Sequence, residues 1–344
     1  MRLRARASRL CELLGFCAAT AVAACGPPSQ PSAAAGQAAE YRAGAATGYL
    51  YVTNETGYGS SGSGSILVFY ENAYGNTSPL YVISGSQTQL SQVNGITVDA
   101  SGEIYVVDTD KNAILGFGAG SSGNVSPNVV IAGSNTDLAW PVGLAIDQGG
   151  NLYVANCGSG CKSGLAAAGL LEFAAGSNGN VTPLRNISGS KTQLTRSNGV
   201  AWRGDVYVSQ ASSIVVFDQA ANGNAAPKRV ISGSKTFIEN AWGVATDGDS
   251  VFAGSCAGDY IERFDYRASG DAAPQAVISG SKTKLLSCVD GLAFGHGRSY
   301  AATINSYPSV VGFHRLANGD VRPDTYLAGP NTQLTYPAFV FATP

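Results

Sequence analysis

Residues Gly95 to Phe117 read GITVDASGEIYVVDTDKNAILGF. Three apolar runs are separated by short polar clusters rich in turn-forming residues. Gly95 to Asp99 is predicted as a first strand, A, Glu103 to Val107 as B and Ala113 to Phe117 as C, with a fourth, D, at Asn128 to Ile131. Strict alternation would leave one face of such a sheet polar. Here aliphatic Ile104 and Val106 flank aromatic Tyr105, so both faces are apolar, as a sheet sandwiched between neighbours requires.

The segment is one copy of six. A phenylalanine recurs at Phe69, Phe117, Phe173, Phe217, Phe264 and Phe313. A proline follows each at constant spacing (Pro79, Pro127, Pro183, Pro227, Pro274, Pro323), and then a glycine (Gly85, Gly133, Gly189, Gly233, Gly280, Gly329). The mean period is about 49 residues, within the range of propeller blades. Strand B carries an aromatic in every copy, at Tyr51, Tyr105, Tyr153, Tyr207, Phe252 and Tyr300. Gly-Asn or Gly-Asp pairs, from Gly75-Asn76 to Gly319-Asp320, mark the C–D turns. The first copy begins at strand B (Tyr49 to Thr53), and an unpaired A-like segment, Ala338 to Ala342, follows the sixth. The C-terminal strand is therefore expected to complete the first blade and remove the open edges. The reading is an all-β, six-bladed β-propeller of four-stranded blades over residues 48–344.

The N-terminal residues follow different rules. Arg2, Arg4, Arg6 and Arg9 precede an apolar run from Leu13 to Ala24, too short for a spanning helix and suited to a signal peptide. The run ends in Val22-Ala23-Ala24-Cys25, which resembles a bacterial lipobox and implies a diacylated Cys25 as the mature N-terminus. Residues 26–47, rich in Pro, Ser, Ala, Gly and Gln, read as a flexible tether. The expectation is an exported protein of the bacterial cell envelope, lipid-anchored to the outer membrane or cell surface. Ordinary cleavage near Ala21-Val22-Ala23, releasing a soluble secreted or periplasmic protein, is the alternative.

Composition narrows the function. Only 13% of the 344 residues are charged and the net charge is −2, so there is no basic footprint for nucleic acid. Only His296 and His314 are available for imidazole chemistry. Several apparent motifs belong to the repeat. Ser188-Gly189-Ser190-Lys191-Thr192 recurs at 232–236 and 279–283 and lacks phosphate-loop spacing; Asn124-Val125-Ser126 is a turn with sequon spelling. Asp99, Asp147 and Asp247 are expected to cap A–B turns.

Gly95 to Phe117 and Gly143 to Asn156 (GLAIDQGGNLYVAN) resemble NHL repeats, a likeness that covers residues 48 to 344. Blade 2 departs from the pattern in having Ala113 where many such repeats place Arg. The resemblance implies a propeller. Its members bind proteins or RNA, act as surface modules, or serve as lyases and lactonase-like enzymes, so the fold licenses no single activity.

Loop lengths point to one face. From the strand-B aromatic to the strand-C Phe the count varies between 10 and 20, whereas the D–A connections are nearly constant. Asn54 to Ser65, with Tyr58, and Asn156 to Gly169 are the long loops. The residue before the strand-A glycine should stand at the channel mouth on that top face. It reads Asn94, Val142, Asn198, Trp242 and Asp290, and by spacing Ala338. Two positions earlier lie Gln92, Trp140, Arg196, Asn240, Cys288 and Tyr336. Aromatics among amides suit stacking and hydrogen bonding to a polar ligand. The expected ligand-binding residues are Asn94, Trp140, Asn198, Trp242 and Asp290, with Tyr58 and Tyr336 at the rim; the bland alternative is that the tryptophans plug gaps between blades. Cys157 and Cys161 share one B–C loop, while Cys256 and Cys288 meet on the same face, so two disulfides are expected in an oxidising compartment; a four-thiolate zinc site is the rival. The function expected is a monomeric, non-catalytic binding module for a glycan, a peptide or an envelope protein, needing no cofactor. The competing class is a metal-dependent lactonase-like hydrolase or lyase, in which Asn94, Asn198 and Asp290 would make a poor oxygen site for calcium.

Overall fold

The computed structural model describes residues 48–56, 64–304 and 307–343. The leader, Cys25, the tether and Tyr58 lie outside these residues. The described chain forms six four-stranded antiparallel sheets, the blades of a propeller. Blade 1 is built from both ends of the domain, in the order Tyr336–Ala342, Tyr49–Glu55, Ser65–Tyr70, Tyr81–Ile83. Tyr51 faces Phe341 and Val52 faces Val340 across this seam. At its outer end the Tyr49 N–H donates to Thr343 Oγ1 at 2.9 Å and the Thr343 N–H returns to the Tyr49 carbonyl at 3.0 Å.

In blade 2 strand C spans Ala113–Phe117 as expected, B is Ile104–Asp108 and D is Val129–Ile131. Strand A runs Val93–Val98, earlier than the expected Gly95 to Asp99. Asp99 leaves the strand because its carboxylate accepts the N–H groups of Ser101 and Glu103, at 2.8 and 2.9 Å, and so caps the A–B turn. Asp147 and Asp247 do the same.

Each member of the Phe–Pro–Gly repeat has a physical task. All six phenylalanines are at most 1% exposed. They belong to apolar clusters between neighbouring blades, such as Ile66, Val68 and Ile83 of blade 1 with Ile104, Leu115 and Phe117 of blade 2. The proline, which has no N–H to give, directly precedes the first residue bonded back to strand C; Leu80, for example, donates to the Val68 carbonyl at 2.7 Å. The glycine lets the next blade approach. Gly85 has φ +119°, and a Cβ there would meet the Asn124 side chain at 2.6 Å.

That approach is a clasp repeated around the ring. The carboxamide or carboxylate oxygen of each Gly-Asn or Gly-Asp turn accepts a backbone N–H from the preceding blade's connector. The six pairs are Gln87 to Asn124, Asn135 to Asn180, Lys191 to Asn224, Lys235 to Asp271, Lys282 to Asp320 and Asn331 to Asn76, all at 2.6–2.7 Å. The turn glycine also bridges to strand D of the preceding blade, as Gly123 does to Ile83. The last pair closes the circle between blades 6 and 1.

The inner strands are shaped by a second glycine set. A Cβ on Gly95, Gly143, Gly199, Gly243 or Gly291 would come within 2.4–2.6 Å of the next inner strand's backbone. Beside these close approaches the inner strands of blades 1, 2, 3, 5 and 6 shift register against strand B, the signature of a bulge.

Candidate site at the mouth of the channel

In blades 2, 3, 5 and 6 the bulges place the residue before the glycine at the mouth, because an extra residue without a cross-strand partner re-aims its side chain. Val142 and Trp242 are the unpaired residues in blades 3 and 5, and Asp290 lies in the shifted stretch of blade 6. Beneath them lies a cavity of about 820 Å³, its open mouth included, lined by Glu55, Gln92, Asn94, Trp140, Val142, Asn240, Trp242, Cys256, Cys288, Asp290, Ile304 and Tyr336. The structure therefore gathers Asn94, Trp140, Trp242, Asp290 and Tyr336 around one space.

Asn198 is not among them. It is fully buried, and its Nδ2 donates to the Ala241 carbonyl of blade 5 at 2.7 Å. The inner strand of blade 4 begins only at Val200 and has no bulge to turn Asn198 inward. The expected oxygen set of Asn94, Asn198 and Asp290 is thus not assembled. Among the described residues no group of three or more His, Cys, Asp or Glu side chains is placed to hold a metal ion.

The polar wall is well supported. Asn94 Nδ2 donates to Thr109 Oγ1 at 2.7 Å, and that hydroxyl donates to the Pro141 carbonyl at 2.7 Å. Trp140 sits in the left-handed region at φ +53°, held there by its N–H bond to Asn112 Oδ1 at 2.7 Å. Asn240 is likewise left-handed, at φ +51°, and accepts from Arg196 Nη1 at 3.2 Å. Each indole carries a cation of the chain itself: Lys162 Nζ lies 4.5 Å from the Trp140 ring centre and Arg196 Cζ 4.6 Å from that of Trp242. Stacking of a ligand is therefore confined to the opposite ring faces and edges.

Both expected disulfides are present, Cys157–Cys161 and Cys256–Cys288, with Cα separations of 5.6 and 3.9 Å. The second forms part of the cavity wall and ties the B–C loop of blade 5 to the connector entering blade 6.

Glu55 escaped the sequence reading, which searched strand A for mouth residues. It ends strand B of blade 1, opposite Tyr336, and is 2% exposed. Burial, followed by the charges of Asp290, Asp108 and Asp110, pushes its carboxyl up to about 8, against a hydrogen bond from the Val93 backbone. Burial pushes Asp290 up to about 7, opposed by the Arg196 charge. Aligning the residue four beyond the strand-B aromatic reveals the signal: the column reads Glu55, Thr109, Cys157, Ala211, Cys256, Ile304, with a single charge.

No protein-family model matches the chain, and neither does any curated protein. Solved structures do. A protein of unknown function from Bacteroides caccae aligns with a TM-score of 0.58 at 11% identity, over 86% of this chain and 98% of that one. A chain of the nidogen/laminin complex aligns with a TM-score of 0.58 at 12% identity, again over 86% and 98%. Likeness at this identity is likeness of fold, and it extends around the ring.

Proposed function

We propose that this chain is a non-catalytic binding module of the NHL-like kind that captures a polar ligand or protein partner at its channel mouth. The observation that carries the reading is the cavity itself: inner strands converge on two buried carboxyls, two tryptophans and a tyrosine, with a disulfide in the wall. A propeller chain occurs in the nidogen/laminin complex, which supports a role in protein binding. The leader and lipobox further support export and anchoring through Cys25, with the propeller carried on the tether outside the cytoplasm.

Glycan and peptide arrays probed with the parent domain and with Trp242→Ala test the surface. Binding that is lost in the variant supports the mouth; equal binding moves the site elsewhere. Membrane fractionation of Cys25→Ser tests the anchor, which predicts release of the protein into the soluble fraction.

A hydrolase or lyase is the second reading. Two carboxyls titrating near neutrality in one cavity are what general acid–base catalysis needs. Turnover of a lactone and ester panel, lost in Glu55→Gln or on addition of EDTA, would favour it over a binding module.

A further inference from the structure

We propose that the mouth cavity is a receptor for an organic cation, a quaternary or primary ammonium group, held between Glu55 and Asp290 and walled by Trp140, Trp242 and Tyr336. The inference rests on the binding-module reading and names its ligand class. Two observations carry it independently. The cavity wall contains two acids and no lysine, arginine or histidine, so its own charge is of one sign. Asp290 is 6% exposed, lines the cavity, and accepts no hydrogen bond among the described residues. A buried carboxylate that only the Arg196 charge faces is costly to ionise, and a cation entering the cavity adds compensating charge beside it.

The aromatic wall selects the kind of cation. Indole faces in this mouth attract cations, since Lys162 and Arg196 each already sit over one of them. An alkylated ammonium presents apolar methyl groups to Trp and Tyr, and its charge favours the ionised forms of Glu55 and Asp290 over the protonated forms they hold in the empty cavity. A hydrated metal ion would gain little from such walls and would find only two carboxylates. The charges facing the pair are Asp108 and Asp110 of blade 2 beside Glu55, and Arg196 of the connector entering blade 4 beside Asp290. Lys111 beside Asp108 and Lys162 on the Trp140 ring are further bases, but of all these groups only Glu55 and Asp290 line the cavity, so the field within it favours a cation.

The test is calorimetric titration of the disulfide-intact domain with tetramethylammonium, choline, the uncharged tert-butyl isostere of choline, and calcium. The expected result is saturable binding of the two ammonium ions, with the uncharged isostere weaker by about tenfold or more. Asp290→Asn, an isosteric change whose fold is checked by its melting curve, should weaken ammonium binding by about tenfold. Trp242→Phe should weaken it less. Equal affinity for the uncharged isostere, or binding unaffected by Asp290→Asn, overturns the inference. Stoichiometric calcium in place of ammonium overturns it in favour of a metal site. If no ammonium binds but the arrays yield a neutral ligand sensitive to Trp242→Ala, the ligand class is wrong and the binding module stands. If nothing binds the mouth in either experiment, both readings fall.

Discussion

Asp290 and Glu55 share a state that is unusual for carboxyls: both are buried, and both are held above their ordinary values, at about 7 and about 8. The folded chain therefore binds more protons than the unfolded one from about pH 4 up to those values. The stability these groups contribute is complete below about pH 4 and is lost as pH rises through 7 and then 8. In the absence of ligand, the melting temperature should fall between about pH 5 and pH 9, with a smaller fall in Asp290→Asn. At the alkaline end Asp290→Asn should melt about 3–6 °C above the parent, the pattern of a site that trades stability for binding. Parallel melting profiles for parent and variant would show that Asp290 is not a destabilising buried charge. The two residues also show how far a repeat can be read. Asp290 precedes a strand-A glycine, so aligned copies expose it. Glu55 ends strand B, in a column that also brings Cys256 and Ile304 to the cavity, and it faces Tyr336 across the seam.

At the scale of the elements, the Gly-Asn turn does two jobs. As local turn chemistry it was legible, since Gly123 at φ +78° has the backbone such a turn demands. Its second job, accepting an N–H from the neighbouring blade, depends on a residue 37 positions away and has no local signature. Asn124→Ala, which removes that acceptor, should destabilise the domain by about 1 kcal/mol. Gly85→Ala should cost more, because it combines an unfavourable positive φ with a Cβ driven into Asn124. Chemical denaturation of the two variants measures both, and equal costs would deny the close packing of the clasp. The Cys256–Cys288 bridge is an element of the same kind, joining a loop to the next connector across 32 residues. In the chain-entropy model a loop of that length is worth about 3–4 kcal/mol, so Cys256→Ser with Cys288→Ser should lower the denaturation free energy by that order. Non-reducing peptide mapping should recover both pairs. Free thiols at these positions in protein purified without reductant would refute the pairing.

At the scale of the whole molecule, stability depends on closure. The ring is completed by the seam strand, by the last clasp from Asn331 to Asn76, and by the His296–Glu71 pair at 2.8 Å. Asn54 reinforces the seam, its carboxamide oxygen accepting the N–H groups of Thr335 and Tyr336 at 2.8 and 3.1 Å. Deleting Tyr336 to Pro344 removes the innermost strand of blade 1 and bares an edge on each side. The melting temperature should drop by about 10 °C or more, or folding should fail altogether. A truncated chain that melts like the parent would mean the seam carries little of the stability. The deletion also removes Tyr336 from the cavity, so any ligand affinity should disappear with it.

Sequence alone determined the number of blades, the place of the seam, the turn caps at Asp99, Asp147 and Asp247 and the pairing of the cysteines. These follow from composition and spacing within a repeat, because each blade is built from the same short-range rules and six copies reveal which residues the rules require. Tertiary structure decided which mouth residues share one space. It turned Asn198 away into the contact with blade 5, placed Lys162 and Arg196 on the two indoles, and set Glu55 on the same cavity wall as Asp290. Those outcomes depend on bulges and on the approach of neighbouring blades, where departures of one copy from the repeat matter more than the repeat itself. Copies aligned in sequence show what the blades have in common, whereas the candidate site is made from what they do not.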